Sequence, residues 1–249
     1  MSKIKISISA KLKSFFLTLL PYLAALLLII LTEQFTDLDY CVQDWIFQSA
    51  SWPVNNNMHD KLSPVFYTGI KVGIGIFAGI CLILFIVSFI SLNLKLKSYR
   101  KGLSVVFLSV ILVPLLVAEA KKWTNVYCPV DTIRYGGNIP NIKLLESYPE
   151  NFKPEDRGRC YPAGHATGGF AIMSLFFLFK SKRNKLLGLF AGIFLGWVMG
   201  GYQMLRGEHF LSHTLTSMVA ACIIILLVDF AVNKCASRRH ADSMQQPHQ

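Results

Sequence analysis

Apolar residues along this chain come in six blocks of about 20 residues, near 14–32, 68–92, 103–120, 163–179, 186–205 and 210–232. They follow neither a helical stripe nor a strict alternation. A block of this length is what an α-helix needs to cross a ~30 Å hydrocarbon core. Backbone groups in lipid must be satisfied within the segment, and the strands of a barrel would be shorter and would alternate. The pattern therefore predicts an all-α, polytopic membrane protein with about six transmembrane helices. The first block reads as a retained anchor: its apolar run is too long for a signal-peptide core, and Thr32-Glu33-Gln34-Phe35 follows it with no small-x-small cleavage site.

Composition supports this reading, with 53% apolar and only 16% charged residues. The net charge of +11 changes meaning once it is placed along the chain. Lys3, Lys5, Lys11 and Lys13 precede the first span, and Lys95, Lys97, Arg100 and Lys101 lie between the second and third. Lys180, Lys182, Arg183 and Lys185 lie between the fourth and fifth, and Lys234, Arg238 and Arg239 follow the sixth. These are fifteen of the 25 basic residues, all in segments that six spans put on one side. The opposite first loop, 33–66, has Lys61 against Glu33, Asp37, Asp39, Asp44 and Asp60. Positive-inside bias then puts both termini in the cytoplasm. The charge is topological, and no nucleic-acid partner is expected.

The predicted organisation is a basic cytoplasmic N-terminus (1–13), a membrane domain (14–232) and a cytoplasmic tail (233–249), irregular from Ser237. The outer loop 121–160 carries Pro129, Gly136-Gly137, Pro140, Pro149 and Pro154, turn chemistry that suits a lid or binding surface. Lys121, Lys122, Arg134, Lys143, Lys153, Arg157 and Arg159 stand there against the topological trend, which points to anion binding, although five acids share the loop. Gly188, Gly192, Gly196 and Gly200 put bare backbone on one face of the fifth span, the pattern of close helix packing. Of the six cysteines, Cys81 and Cys222 fall inside spans as small buried thiols, while Cys41, Cys128 and Cys160 lie outside.

Three clusters sit at the outer ends of different spans. Lys121-Lys122 closes the third and leads to Cys128-Pro129. Pro162-Ala163-Gly164-His165 opens the fourth. The run Gln203-Met204-Leu205-Arg206-Gly207-Glu208-His209-Phe210-Leu211-Ser212-His213 joins the fifth to the sixth. Ionisable groups at a membrane boundary are functional candidates. A glycine and unpaired amides ahead of a helix favour an anion, and Lys121 and Arg206 can neutralise phosphoryl oxygens. Two imidazoles can divide the chemistry, one attacking phosphorus and the other protonating the departing oxygen.

In order and spacing these clusters resemble the signature of the type 2 phosphatidic acid phosphatases, which share a helical core with vanadium haloperoxidases. That signature reads Lys-x6-Arg-Pro, Pro-Ser-Gly-His and Ser-Arg-x5-His-x3-Asp. Here Cys128 replaces the first Arg, Ala163 the Ser, Gln203 the second Arg and His213 the Asp. The resemblance implies that His209 forms a phosphohistidine and His165 is the general acid. Lys121 and the amides around Gly164 would hold the phosphoryl oxygens. His213 would orient His209 as a neutral acceptor. Arg206, one turn beyond Gln203, would restore the lost guanidinium, and Arg134 or Arg159 would stand in for the Arg replaced by Cys128. Cys128 and Cys160 each border a motif expected to converge on one site, within reach of a disulfide. Two free thiols are the alternative, since Cys41 is also outside.

The expected function is a lipid phosphatase of a bacterial inner membrane with its active site facing the periplasm. Its substrates would be of the undecaprenyl diphosphate, lipid A or phosphatidylglycerophosphate class. A phosphotransferase of the same family, or a non-catalytic binder or transporter of anionic lipid, is the alternative. No cofactor is expected. The pairing of His209, His213 and Glu208 reads Glu-His-x3-His rather than the metalloprotease order, so no metal is expected either.

Overall fold

The computed structural model describes residues 2–90, 92–152 and 156–245, with side chains described for 12–237 of these. Lys153, and the side chains of Lys3, Lys5, Lys11, Arg238 and Arg239, lie outside the described residues. The chain is all-α. Long helices α1 (Ser2–Phe35), α4 (Ile70–Ile90), α6 (Arg100–Thr124), α9 (Lys182–Leu205) and α10 (Leu211–Gln245) are joined by short ones: α2 (Leu38–Ile46), α3 (Asn56–Ser63), α5 (Leu94–Lys97), α7 (Thr167–Ala171) and α8 (Leu175–Leu178).

Among the described residues, five helices are long and apolar enough to cross a membrane: Leu12–Phe35, Asn56–Ile90, Arg100–Asp131, Lys182–Leu205 and Leu211–Ser237. The second begins at Asn56, well before the apolar block. Asn55 caps it, accepting from the Met58 amide, and a π-helical turn over Pro64–Gly69 continues α3 into α4. The predicted fourth span is instead a shorter apolar stretch, Thr167–Leu178, in which a 3-10 turn at Ile172–Ser174 separates α7 from α8. Burial explains how so short a segment is accommodated. Phe170, Ala171 and Met173 join Val105, Val106 and Val113 of α6 and Ala221 and Ile225 of α10 in one core. Against α9 the approach is close: a Cβ on Gly192 would collide with the Met173 backbone, and one on Gly196 with the Phe170 ring. The glycine face is a packing seam, as its spacing predicts.

This segment still runs between the two ends of the bundle. Gly164 meets Lys121 at one end of α6, and Leu178 meets Gly102 at the other. At that second end Lys180 donates to Ser98 at 2.6 Å, and Phe15 of α1 stacks on Phe230 of α10 at 4.2 Å. The basic segments 95–101 and 180–185 therefore share an end with the start of α1 and the far part of α10. The tail expected to be irregular from Ser237 continues α10 to Gln245, since it holds neither Gly nor Pro before Pro247.

At the opposite end the loops 33–66 and 121–160 are joined by charge. Arg134 grips Asp44 through two nitrogens, at 2.9 and 2.5 Å, and Lys143 meets Asp37 at 3.1 Å. Glu33 accepts from the Leu144 amide, and Lys122 pairs with Glu119. Three of the seven basic residues in 121–160 are thus taken up by carboxylates rather than left for an external anion.

Candidate active site

The link between α9 and α10, residues 206–210, carries the central histidine and is held from several sides. Gly207 has φ +73, the left-handed region, and a Cβ there would strike the Trp52 indole. Its carbonyl accepts from the Val130 amide at 2.9 Å. Helix α2 clamps both flanking ends. Gln43, fully buried, donates to the Met204 carbonyl at 3.0 Å, satisfying the last turn of α9. Asp39 accepts from the Ser212 amide at 2.9 Å and from the Ser212 hydroxyl, capping the start of α10 with negative charge. Burial pushes the Asp39 carboxyl up, and the Ser212 bonds and Lys143 oppose that rise. Replacing Asp39 by Ala should lower stability by about 1–2 kcal/mol. That loss reads as a melting midpoint a few degrees lower in detergent; an unchanged midpoint would show that the cap carries no weight.

His209 is 1% exposed. Its Nε2 lies 3.3 Å from Nδ1 of His165, and its Nδ1 lies 3.3 Å from Sγ of Cys160. A neutral imidazole has one N–H. With that proton on Nδ1, toward Cys160, Nε2 keeps the lone pair a nucleophile needs. Burial holds His209 well below the usual imidazole range, helped by His213, Lys121 and His165 and opposed by the Cys160 backbone. His165 is pushed down to about 4 by burial first, then by Lys121, Arg206 and Lys71. Both rings are neutral at pH 7.

The cations frame this pair. The Lys121 ammonium lies 3.3 Å from the position a Cβ would take on Gly164, so the glycine leaves room for it. Arg206 caps α9, donating to Gln203 at 3.3 Å and pairing with Glu208 at 3.3 Å. The amides of Gly164, His165 and Ala166 donate no hydrogen bond among the described residues, while that of Ala163 bonds to the His213 carbonyl at 3.1 Å. Three amides without a hydrogen bond on this turn, Lys121 beside Gly164 and the charge of Arg206 felt at His165 together suit an anion with several oxygens.

The remaining predicted residues fall elsewhere. His213 is buried edge-on between Tyr161 and Phe210, its ring 5.8 Å from that of His209 with no hydrogen bond between them, and its Nδ1 has no partner. Cys160, not His213, faces His209 Nδ1. Arg134 is committed to Asp44 and lies over the Tyr40 ring. Arg159 is exposed. Cys128 and Cys160 form a disulfide with a Cα separation of 5.1 Å. Tyr67, on the π-helical turn, sits against His165 with ring centroids 5.4 Å apart, and Lys71 one turn on adds its charge. A lone lysine at the start of an apolar block was the one sequence signal that could have found this wall. Asp39 and Gln43 had none.

A model of the PAP2 superfamily matches residues 102–235, just over half of the chain. The chain belongs to the PAP2 superfamily. The match takes in Lys121, His165, Arg206, His209 and His213 and leaves out α1 to α5, so Asp39 and Gln43 clamp the PAP2 region from outside it. Membership in the PAP2 superfamily supports phosphatase-type activity on phosphate esters. No curated protein and no solved structure matches the chain.

Proposed function

We propose that this PAP2 protein is a membrane lipid phosphatase working through a phosphohistidine on His209. The observation that carries the reading is the contact of His209 Nε2 with His165, at a turn beside Lys121 and within the field of Arg206. His209 Nε2 attacks phosphorus, the bond to the leaving oxygen breaks, and that oxygen takes a proton from His165. Water then attacks the phosphohistidine, His165 recovers a proton from it, and phosphate leaves. Lys121, Arg206 and the amides of 164–166 balance charge on the non-bridging oxygens. Binding the anion also raises the His165 affinity for its proton, offsetting the depression in the free protein.

A lipid substrate is favoured by depth. Trp123, two residues beyond Lys121, is 82% exposed, and exposed Trp beside a basic residue marks the headgroup level. Undecaprenyl diphosphate, lipid A and phosphatidylglycerophosphate each present a phosphate there. Purified protein given this panel should release phosphate from at least one, and vanadate should block the release. Binding without any release would favour a non-catalytic anionic-lipid binder, and transfer to an alcohol acceptor would favour a phosphotransferase.

Positive-inside bias favours the cytoplasm of a bacterial inner membrane for the basic end of the bundle and the periplasm for the histidine end. A fluorescent reporter at the C-terminus should then be bright and an alkaline phosphatase reporter there silent. The reverse result would put the site on the cytoplasmic face.

A further inference from the structure

The disulfide lies inside the catalytic centre, against the nitrogen of His209 that does not attack phosphorus. Cys160 is fully buried, Cys128 is half-buried, and Cys160 Sγ is 3.3 Å from His209 Nδ1. The two sulfurs and one nitrogen of Cys128, Cys160 and His209 all lie within 4.8 Å of one another. Two thiolates and an imidazole are a donor set for a soft or borderline divalent ion. Tetrahedral zinc with its usual bond lengths separates a sulfur from a nitrogen ligand by roughly 3.5 Å, close to the spacing of Cys160 and His209. Oxidised, neither sulfur can serve as a thiolate ligand.

We infer that the Cys128–Cys160 disulfide masks a zinc site, and that its reduction lets Cys128, Cys160 and His209 capture Zn2+ and withdraw His209 from catalysis. The reductant is a dithiol. Its thiolate attacks Sγ of Cys128, the more accessible sulfur, and releases Cys160 as thiolate; the second thiol of the reductant closes its own disulfide and frees Cys128. Two electrons reduce the protein disulfide and the dithiol is oxidised by the same two. Zn2+ then replaces the two thiol protons and takes the Nδ1 lone pair of His209, with water in the fourth position. An imidazole coordinated through Nδ1 must carry its proton on Nε2. The lone pair that attacks phosphorus is gone, so metal uptake and phosphoryl transfer exclude each other. This last step rests on the phosphatase reading; the metal site itself does not.

The test uses full-length protein in detergent, reduced with a phosphine that is then removed, beside an untreated sample. Cobalt(II) titration should give a thiolate-to-metal charge-transfer band and tetrahedral d–d absorption in the reduced protein, saturating at one ion per chain and displaced by Zn2+. The oxidised protein should give neither. Cys128→Ser, Cys160→Ser and His209→Ala should each weaken binding by roughly 100-fold or more. A reduced wild-type protein that takes up no metal overturns the inference, as do equal uptake by oxidised protein and full affinity in His209→Ala. Zinc should also stop phosphate release in the reduced enzyme, reversibly on chelation. Metal binding as described in a protein that never releases phosphate keeps the site and overturns the phosphatase reading instead.

Discussion

His209→Ala should abolish both the covalent intermediate and turnover, a loss on the order of 10⁴-fold or more. Its Nε2 is the lone pair turned toward His165 and the cation-lined turn, and its ring is 1% exposed, so no other side chain can replace it in place. His213 cannot: its ring is walled off by Tyr161 and Phe210 and its Nδ1 reaches no partner. His213→Ala should therefore still trap acid-labile phosphate, with a cost that is mainly packing. Trapping in each variant decides the assignment. If His209→Ala still labels and His213→Ala does not, the nucleophile is His213 and the reading of the site is wrong.

His165→Asn should slow turnover by about 10²–10⁴-fold, more for alkyl esters than for aryl phosphates, whose leaving oxygens need no proton. The same residue sets the pH dependence. Burial, Lys121, Arg206 and Lys71 hold His165 at about 4 in the free protein, whereas a phosphate monoester gives up its second proton near pH 6. Reaction needs His165 protonated and the ester dianionic. The first condition fades as pH rises through 4 and the second as pH falls through about 6. The productive pair is therefore level between those values and falls tenfold per unit outside them. For a soluble monoester, kcat/KM should be greatest between about pH 4 and 6 and decline above, and His165→Asn should lose the alkaline limb. A wild-type profile peaking at or above neutral pH would show that His165 is not the acid.

Loops 33–66 and 121–160 hold contacts that no local pattern specifies. Loop 33–66 shows in sequence only an excess of acids over Lys61, yet its α2 carries the Asp39 and Gln43 that fix the His209 link. Arg134 has the charge to replace a lost guanidinium and lies in the same loop as Cys128, but its fork goes to Asp44, 90 residues away. His213 stood at the position of an orienting carboxylate, but Cys160 holds the matching nitrogen.

The sequence by itself determined the five long apolar helices, the shared end of the basic segments and the three clusters at the other end. Those are local properties: about 20 consecutive apolar residues suffice for a crossing in lipid, where the backbone must bond within its own segment. Motif spacing along one or two turns of helix is local as well. Tertiary structure alone decided which polar groups meet. Asp39 caps an amide 173 positions away and Gln43 a carbonyl 161 positions away. It also split the fourth apolar block into α7 and α8, because that block is enclosed by α6, α9 and α10. A hydrogen bond needs its partners within about 3 Å at a defined angle, and no pattern in a single chain specifies such a distance across the fold.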